Sequence, residues 1–414
     1  MLGTPNDTSD GNRRILIVGA SVRAAAESAV RAGWSPLCAD LFCDEDLIDV
    51  ADVIPLSTYP EGLIDAAHSA PESPWMYTGG VENHPRILNS ISDERSLWGN
   101  SSSAVEIVRD LFTVRELLTT ADLPAIEVRP ASSPPSGKGW LIKPFRGTGG
   151  RGIHNWTEST AIAAECNGQS YFQRYVEGDA FSALFLAVAS ESNTADAELI
   201  GVTRQLIGEP TLNAPLAFAY CGSIGPLALP HSATDTIRRI GSRLAAEAGL
   251  VGLFGIDLIM DSAGIPWLTE VNPRYTASVE VFERAWNMSL FRWHAQACEK
   301  SDSVHDLLAQ IRDELSARPA AFSGPVVGKA VLFAGRDITV GRLPPSLDEI
   351  RSKASLRTLA DRPSGGMLIR CGQPICTVLV DAVDETQCRN RLLADAQRTY
   401  AFIEERATTE TTIF

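Results

Sequence analysis

The pattern of apolar and polar positions near the start of the chain predicts a strand, a helix and a second strand. RILIVGA (14–20) is an apolar run ending after a glycine, SVRAAAESAVRAGW (21–34) has helical periodicity, and SPLCADLF (35–42) is again strand-like. This βαβ order is typical of Rossmann-like domains. A dinucleotide site is disfavoured, because Ser21 and Ala24 stand where its second and third glycines belong.

The middle of the chain alternates strand-like runs with helices. AVEIVRDLFTVRELLTTA (104–121) and TDTIRRIGSRLAAEA (234–248) have helical periodicity, and PASSPPSGKG (130–139) is a connector. The strand-like runs are WLIKPF, YFQRYV, FSALFLAVA, ELIGVTRQLI, LFGIDLIM and IPWLTEV. This order predicts an α+β domain over 101–320.

The last part of the chain changes pattern after a linker. Residues 279–316 read as helical, and SARPAAFSGP (316–325) connects them to short strands in VVGKAVLFAG, MLIR and ICTVLV and to a final helix near 385–405. We therefore predict three units: a Rossmann-like domain over 1–100, the domain at 101–320, and a small, mainly β C-terminal domain over 321–414.

Composition narrows the function classes. The 414 residues carry a net charge of −15, so an extended nucleic-acid surface, which needs dense Lys and Arg, is not expected. The eight cysteines are scattered without zinc-ribbon spacing and are expected to be reduced. No signal-peptide core and no apolar run of about 20 residues occurs. The sequence predicts a soluble, cytoplasmic protein with no membrane or nucleic-acid partner.

A lysine followed by glycines is the first candidate site. WLIKPFRGTGGRGIHNW (140–156) ends an apolar run at Lys143 and continues into a glycine loop, RGTGGRG (146–152). Backbone amides without a neighbouring Cβ can surround phosphate oxygens, and a lysine adds a point charge. Tight turns also use glycine, so the loop alone is weak evidence.

A predicted β-hairpin over 255–274, GIDLIMDSAGIPWLTEVNPR, is the second candidate site. Glu270 and Asn272 lie two residues apart on one strand and share a face, and the hairpin brings Asp257 close to them. Such hard oxygen ligands suit Mg²⁺. Arg274 follows at once, where its guanidinium could hold a carboxylate or phosphoryl group. The alternative is a solvated polar face.

A third segment, YFQRYVEGDAFSALF (171–185), reads as strand, turn and strand and has little meaning alone. In this order, however, the three segments resemble the ATP-grasp superfamily, whose members have a lysine-then-glycine loop, an adenine-binding hinge strand and a closing acid and Glu-x-Asn-Pro-Arg pattern. The tail resembles the C-terminal domain of biotin-carboxylase-type members. More narrowly, GASVRAAAESA and NPRYTASVE resemble ATP-grasp proteins of bacteria with methanopterin-linked one-carbon metabolism.

The resemblance implies an ATP-grasp core in which ATP and Mg²⁺ (or Mn²⁺) bind. Lys143 would contact the α- and β-phosphates, and Asp257, Glu270 and Asn272 would hold the metal. The loop residues over the β- and γ-phosphates would be Gly147, Thr148, Gly149, Gly150 and Gly152. The hinge residues around adenine would be Gln173, Arg174, Tyr175 and Val176.

Two positions depart from the family pattern. Leu111 stands where the family has a phosphate-binding lysine, and Arg109 or Arg115 is a candidate substitute. Ala180 stands where the family has a ribose-binding glutamate, and Asp179 or Glu177 is the candidate there.

The implied reaction is activation of a carboxylate as an acyl phosphate, followed by attack of an amine. Arg274 is the first candidate for a catalytic residue and Arg204 the second, while Glu82 and Asn83 in YTGGVENHP are candidates for substrate contact. The expected partners are small carboxylates and amines, and a homodimer is expected because related proteins are often dimers. Alternatives are a bicarbonate-activating carboxylase and a nucleotide-binding protein without catalysis.

Overall fold

A parallel four-stranded sheet forms the N-terminal region. The computed structural model describes residues 13–157, 169–189, 195–299, 304–317, 324–346 and 358–410. The sheet has the order β3-β2-β1-β4 and comprises β1 (Arg14–Val18), β2 (Ser35–Asp40), β3 (Asp52–Pro55) and β4 (Trp75–Tyr77). Its helices are α1 (Arg23–Arg31), α2 (Glu45–Ile48), α3 (Gly62–Ser69) and α4 (Pro85–Ser92). β1 is buried beyond its first residue, as a strand covered on both faces should be. The predicted βαβ opening is confirmed.

Two short helices and a small antiparallel sheet follow. The predicted single helix over 104–121 is wrong, because the chain breaks into α5 (Ser102–Arg109) and α6 (Leu111–Thr120). Asp110 lies between them in an extended conformation and accepts a hydrogen bond from the Phe112 amide at 3.0 Å, which caps α6. The sheet has the order β5-β8-β6-β7, with β5 (Val128–Pro130), β6 (Trp140–Pro144), β7 (His154–Asn155) and β8 (Ser170–Arg174).

A large antiparallel sheet of eight strands supports the rest of the molecule. Its order is β13-β12-β9-β10-β11-β14-β18-β16. The strands are β9 (Asp179–Ala189), β10 (Ala195–Ile207), β11 (Tyr220–Gly225), β12 (Gly252–Met260), β13 (Pro266–Asn272), β14 (Val326–Phe333), β16 (Leu359–Ala360) and β18 (Pro374–Ala382). β15 (Ile338–Val340) and β17 (Met367–Ile369) pair separately. Since β14 pairs with β11, the strands after residue 325 continue the central sheet.

Helices cover this sheet. They are α7 (His231–Ala248), α8 (Ser278–Trp286), α9 (Phe291–Cys298), α10 (Val304–Ser316) and α11 (Glu385–Glu410), so the helical run predicted over 279–316 divides into three. Phe185 and Phe254 stack on neighbouring strands with ring centroids 5.1 Å apart, and Gly241 lets α7 approach the Phe185 ring, since a Cβ there would overlap it. Burial of such a ring contributes about 1.5–3 kcal/mol.

A buried ion-pair network joins three distant parts of the chain. Arg23 of α1, with a side chain 1% exposed, forms a bidentate pair with Glu280 of α8 at 2.6 and 2.9 Å. Lys329 of β14 contacts the same carboxylate at 2.6 Å. The network therefore fixes the N-terminal region and β14 relative to α8.

Two composition-based predictions can be compared with the described residues. The cysteines that the structure describes are free, as expected. Over the same residues, every helix is too short or too polar to cross a membrane.

Candidate functional site

One large cavity, of about 450 Å³, lies between the small sheet and the eight-stranded sheet. The N-terminal region closes one side through Ser21 and Thr78. Residues predicted from the sequence that line it are Lys143, Gly147, Thr148, Gly149, Gly150, Gln173, Arg174, Tyr175, Val176, Asp257, Glu270, Asn272 and Arg274. The structure therefore brings four groups together around one space. They are Lys143, the glycine loop (146–152), the hinge (173–176) and the acid hairpin, which consists of β12 and β13 and carries Asp257, Glu270 and Asn272.

Lys143 projects into this cavity from β6. The residue is 8% exposed, and its Nζ donates to the Thr269 carbonyl at 3.3 Å. Burial lowers the pKa of Lys143, and the carboxylates of Glu270 and Asp257 partly offset that effect. A buried cation with one weak hydrogen bond to a neutral group is suited to contact an anion.

The glycine loop has a conformation that most other residues would strain. Gly149, Gly150 and Gly152 have φ angles of +62°, +81° and +77°, which favour glycine. A Cβ on Gly150 would overlap the Phe218 carbonyl, whereas one on Gly149 would meet no atom within 4 Å. The Tyr220 amide donates to the Gly149 carbonyl at 3.3 Å, so the loop is held against the start of β11.

The acid hairpin aligns its polar groups by register. Asp257 of β12 lies opposite Glu270 of β13, and Asp257 accepts hydrogen bonds from Asn272 Nδ2 and Gln205 Nε2, each at 3.0 Å. Burial, together with the charge of Glu270, raises the pKa of Asp257 to about 6. Burial would also raise the pKa of Glu270, but Arg109 and Lys143 hold it below its usual value.

This arrangement fits a divalent cation. Asp257 and Glu270 lie opposite each other, and Asn272 donates to Asp257 through Nδ2 while its Oδ1 accepts from Arg274. Burial and the charge of Glu270 raise the pKa of Asp257, and a cation held by the two carboxylates would relieve their repulsion. Over the residues that the structure describes, no group of three His, Cys, Asp or Glu side chains forms a candidate metal centre. Asp257 and Glu270 are two carboxylates, and Mg²⁺ is commonly bound through one or two carboxylates while it keeps several water or phosphate ligands.

Arg274 is held beside the hairpin from two directions. Its Nε donates to Glu82 Oε1 at 2.7 Å, and its Nη2 donates to Asn272 Oδ1 at 3.0 Å. The Glu82 side chain is 1% exposed and is not part of the cavity lining. Glu82 therefore positions Arg274, and the predicted contact with substrate is replaced by a contact with the arginine.

Asn83 and Arg109 connect the N-terminal region to the glycine loop. Asn83 Nδ2 donates to Thr148 Oγ1 at 2.8 Å and to the Gly147 carbonyl at 3.3 Å. Arg109 Nη2 donates to Asn83 Oδ1 at 3.0 Å and to the Gly147 carbonyl at 3.2 Å, and Nη1 forms an ion pair with Glu270. Arg115, the other candidate for the missing lysine, is exposed on α6.

The hinge strand β8 ends beside apolar side chains. Leu141, Ile207 and Ile259 line this part of the cavity together with Val176. Gln173 is 2% exposed, and its Nε2 has no hydrogen-bond partner among the described residues. An apolar slot with one free buried donor can accept a flat ring that carries hydrogen-bond acceptors.

The predicted residues Arg204, Asp179 and Gly152 also lie outside the cavity lining. Arg204 pairs with Asp179 at 2.8 Å and also with Glu385, and neighbouring Gln205 and Ala180 face the cavity instead. Because side chains alternate along a strand, Arg204 and Asp179 project from the opposite face of the sheet. The structure thus places the second catalytic candidate and the ribose candidate away from the site. Gly152 shapes the loop but is not among the lining residues.

Several lining residues were not found from the sequence. They are polar side chains on the sheet floor or near its C-terminal strands: Ser182, Gln205, Tyr220, Ser223, Lys329, Asp361 and Thr377. The sequence feature that could have indicated these residues is a single polar residue within an otherwise apolar strand. Which of them share a face with the hairpin depends on strand order, which no local pattern specifies.

The site lies within a segment that matches a known domain family. A family model described as an ATP-grasp domain matches residues 110–278, so this segment is an ATP-grasp domain and the resemblance to the ATP-grasp superfamily is confirmed for it. A search of curated proteins found no match.

Solved structures with the same fold include both ligases and carboxylases. An L-amino acid ligase from Bacillus licheniformis shares 15% identity, with 94% of this chain and 98% of that chain covered and a TM-score of 0.68. The biotin carboxylase domain of the 2-oxoglutarate carboxylase from Hydrogenobacter thermophilus shares 13% identity, with 92% of this chain and 88% of that chain covered and a TM-score of 0.66. N5-carboxyaminoimidazole ribonucleotide synthetase from Thermus thermophilus shares 15% identity, with 93% of this chain and 98% of that chain covered and a TM-score of 0.64. At these identities the likeness shows the fold.

Proposed function

We propose that the chain is an ATP- and Mg²⁺-dependent ligase that activates a carboxylate as an acyl phosphate and joins it to an amine. One observation carries the proposal: Lys143, the glycine loop, the Asp257–Glu270 pair and Arg274 line a single cavity. These groups supply cations and backbone amides for phosphates and hard oxygens for a metal. The H. thermophilus structure contains MgADP and bicarbonate, which supports the nucleotide and metal assignment.

The nucleotide would lie between the two sheets. The slot beside Gln173 and Ile259 would take adenine, and the glycine loop and Lys143 would take the polyphosphate. Asp257, Glu270 and Asn272 would hold Mg²⁺, which neutralises phosphate charge when bound. The carboxylate oxygen of the substrate would attack the γ-phosphorus as the bond to the β-phosphate oxygen breaks, releasing ADP.

The second step needs positioning and charge stabilisation. The amine nitrogen would attack the acyl carbon, and phosphate would leave with the electrons of the carbon–oxygen bond while the amine loses a proton. Arg274 faces the cavity and is fixed by Glu82 and Asn272. It would stabilise the negative charge on the acyl phosphate and the tetrahedral oxyanion.

The cavity is long enough for a second substrate. A row of polar residues crosses the sheet floor: Asp257 lies opposite Ser182, and Gln205 lies opposite Ser223, which lies opposite Lys329. Asp257 and Lys329 are four strand spacings of about 4.8 Å apart, or roughly 19 Å. We propose that the acid and amine substrates lie along this row, with their reacting groups at its Asp257 end, next to the nucleotide phosphates.

The test is ADP release from Mg-ATP with a panel of acids, each offered with and without amines. The panel includes amino acids, pterin- and furan-type acids, because of the narrower sequence resemblance, and bicarbonate. Glu270→Gln serves as the blank. We expect release to need both an acid and an amine, and ¹⁸O from a labelled carboxylate to appear in phosphate.

Each contrary result has a defined meaning. ADP release with bicarbonate alone would favour carboxylase chemistry, and the absence of ¹⁸O transfer would contradict an acyl phosphate. Tight Mg-ATP binding without turnover on any acid of the panel would favour a non-catalytic nucleotide-binding protein.

A further inference from the structure

Arg109 occupies the position between the metal-binding carboxylates and the phosphate-binding loop. It is the last residue of α5, its side chain is 13% exposed, and it forms an ion pair with Glu270. The same guanidinium donates to the Gly147 carbonyl at 3.2 Å. Arg109, Lys143, Gly147 and Glu270 also line a small side cavity. A positive side chain therefore already lies where both a metal and a polyphosphate would bring charge.

The start of α6 cannot supply this charge. Asp110 is used as the helix cap, and Leu111 is 8% exposed in an apolar cluster with Val128 and Tyr171. A charged side chain directed into that cluster would lose its hydration. The cation comes instead from Arg109, the last residue of α5, on the other side of the break between the two helices.

Glu270 would bind two cations, the Arg109 guanidinium and the proposed metal ion. Its carboxylate pairs with Arg109 in the structure, yet it is also a ligand of the proposed metal site. Two cations at one carboxylate repel each other, and the polyphosphate of a nucleotide provides a stronger anion within reach of the same guanidinium.

We propose that Arg109 exchanges partners during nucleotide binding. It pairs with Glu270 when the site holds no metal, and it moves to the nucleotide phosphates, the β-phosphate of ADP included, when the Mg-nucleotide binds. The inference rests on the proposed nucleotide site. Arg109 would then neutralise Glu270 in the free protein and would hold phosphate in the complex, where its planar fork matches phosphate oxygens.

The exchange makes two predictions of opposite sign for Arg109→Ala. Mn²⁺ alone, followed by electron paramagnetic resonance, should bind several-fold more tightly, because Glu270 no longer has a competing partner. Mg-ADP, followed by calorimetry, should bind about tenfold or more weakly, the scale of one charge-assisted hydrogen bond. Arg109→Lys should lie between wild type and the alanine variant in both measurements.

The matched control is Arg115→Ala, which removes an exposed arginine from the neighbouring helix. It should change neither affinity. Melting temperatures of all variants, compared with wild type, show whether a change in affinity reflects loss of the fold.

A structural role for Arg109 predicts a different pattern. If it only holds α5 against β13, its loss should weaken Mn²⁺ and Mg-ADP binding together, and that result would overturn the exchange. Unchanged affinities in Arg109→Ala would overturn it as well. A wild-type protein that binds no Mg-nucleotide would overturn the proposed function and this inference with it, so the two failures are distinguishable.

Discussion

Asn83 Nδ2 lies 2.8 Å from Thr148 Oγ1, although the two residues are 65 positions apart in the sequence. This hydrogen bond connects the N-terminal region to the glycine loop, and Asn83 also contacts the Gly147 carbonyl at 3.3 Å. The loop that we propose to bind phosphate is therefore held in place by a residue outside the ATP-grasp match at 110–278.

We expect Asn83→Ala to weaken Mg-ATP binding, because a loop that is not held must lose conformational freedom when the nucleotide binds. A double-mutant cycle with Thr148→Val should give a coupling of about 1 kcal/mol in binding, the net value of one hydrogen bond. Thr148→Ser keeps the hydroxyl and should behave like wild type. Additive effects of the two substitutions would show that the bond does not support the loop.

Lys143→Ala should weaken Mg-ATP binding by about tenfold or more, because a charge-assisted contact with phosphate is lost. Lys138→Ala is the matched control, since Lys138 is exposed in the connector before β6. Titration calorimetry measures both variants. Equal affinities for wild type and Lys143→Ala would remove Lys143 from the phosphate site.

Two glycines of the loop should respond differently to the same substitution. Gly149→Ala adds a Cβ into open space at positive φ, which costs about 1–2 kcal/mol of backbone strain. Gly150→Ala adds that strain and an overlap with the Phe218 carbonyl, so the loop must move. We expect Gly150→Ala to weaken Mg-ATP binding, measured by titration calorimetry, much more than Gly149→Ala, and to lower the melting temperature further. The reverse order would contradict the loop conformation described here.

The acid hairpin could be predicted from the sequence because it is encoded locally. Asp261 Oδ1 accepts hydrogen bonds from the amides of Ala263 and Ile265, each at 2.9 Å, and such a side chain–backbone turn fixes the register of the two strands. The turn register pairs Leu258 with Leu268, and a one-residue shift between Leu258 and Asp257 then places Asp257 opposite Glu270. The metal-ligand hypothesis therefore depended on residues within one short segment.

The face of a central strand could not be predicted in this way. Arg204 and Gln205 are both polar neighbours on β10, and either could have faced the cavity. The choice depends on the pairing with β9 and β11, whose partners are distant in sequence, and each pairing contains a register shift. Arg204 is the residue predicted from the sequence, whereas the structure places Gln205 in the cavity. The choice of Arg109 over Arg115 depends on the break between α5 and α6 at Asp110, and helical periodicity does not reveal that break.

The ion-pair network at Glu280 should make stability depend on pH. Burial alone would raise the pKa of Glu280, but the charges of Arg23 and Lys329 hold it far below its usual value of 4.5. A carboxylate with a depressed pKa in the folded state contributes stability above about pH 4.5, and the contribution is lost as the pH falls through the folded-state pKa. Ionised Glu280 therefore stabilises the protein at neutral pH.

Glu280→Gln should lower the free energy of unfolding at pH 7 by roughly 3–5 kcal/mol, because Arg23 and Lys329 lose the carboxylate that neutralises them. The difference from wild type should narrow as the pH falls below about 4.5, because the unfolded wild-type chain then takes up a proton at Glu280 while the folded state, with its lower pKa, keeps the carboxylate ionised. Urea unfolding at pH 7, 5, 4 and 3 measures this difference. Glu127→Gln, at an exposed pair with Arg129, should cost less than about 1 kcal/mol throughout. A Glu280→Gln difference that stays constant or grows on acidification would show that this carboxylate is not held ionised by the network.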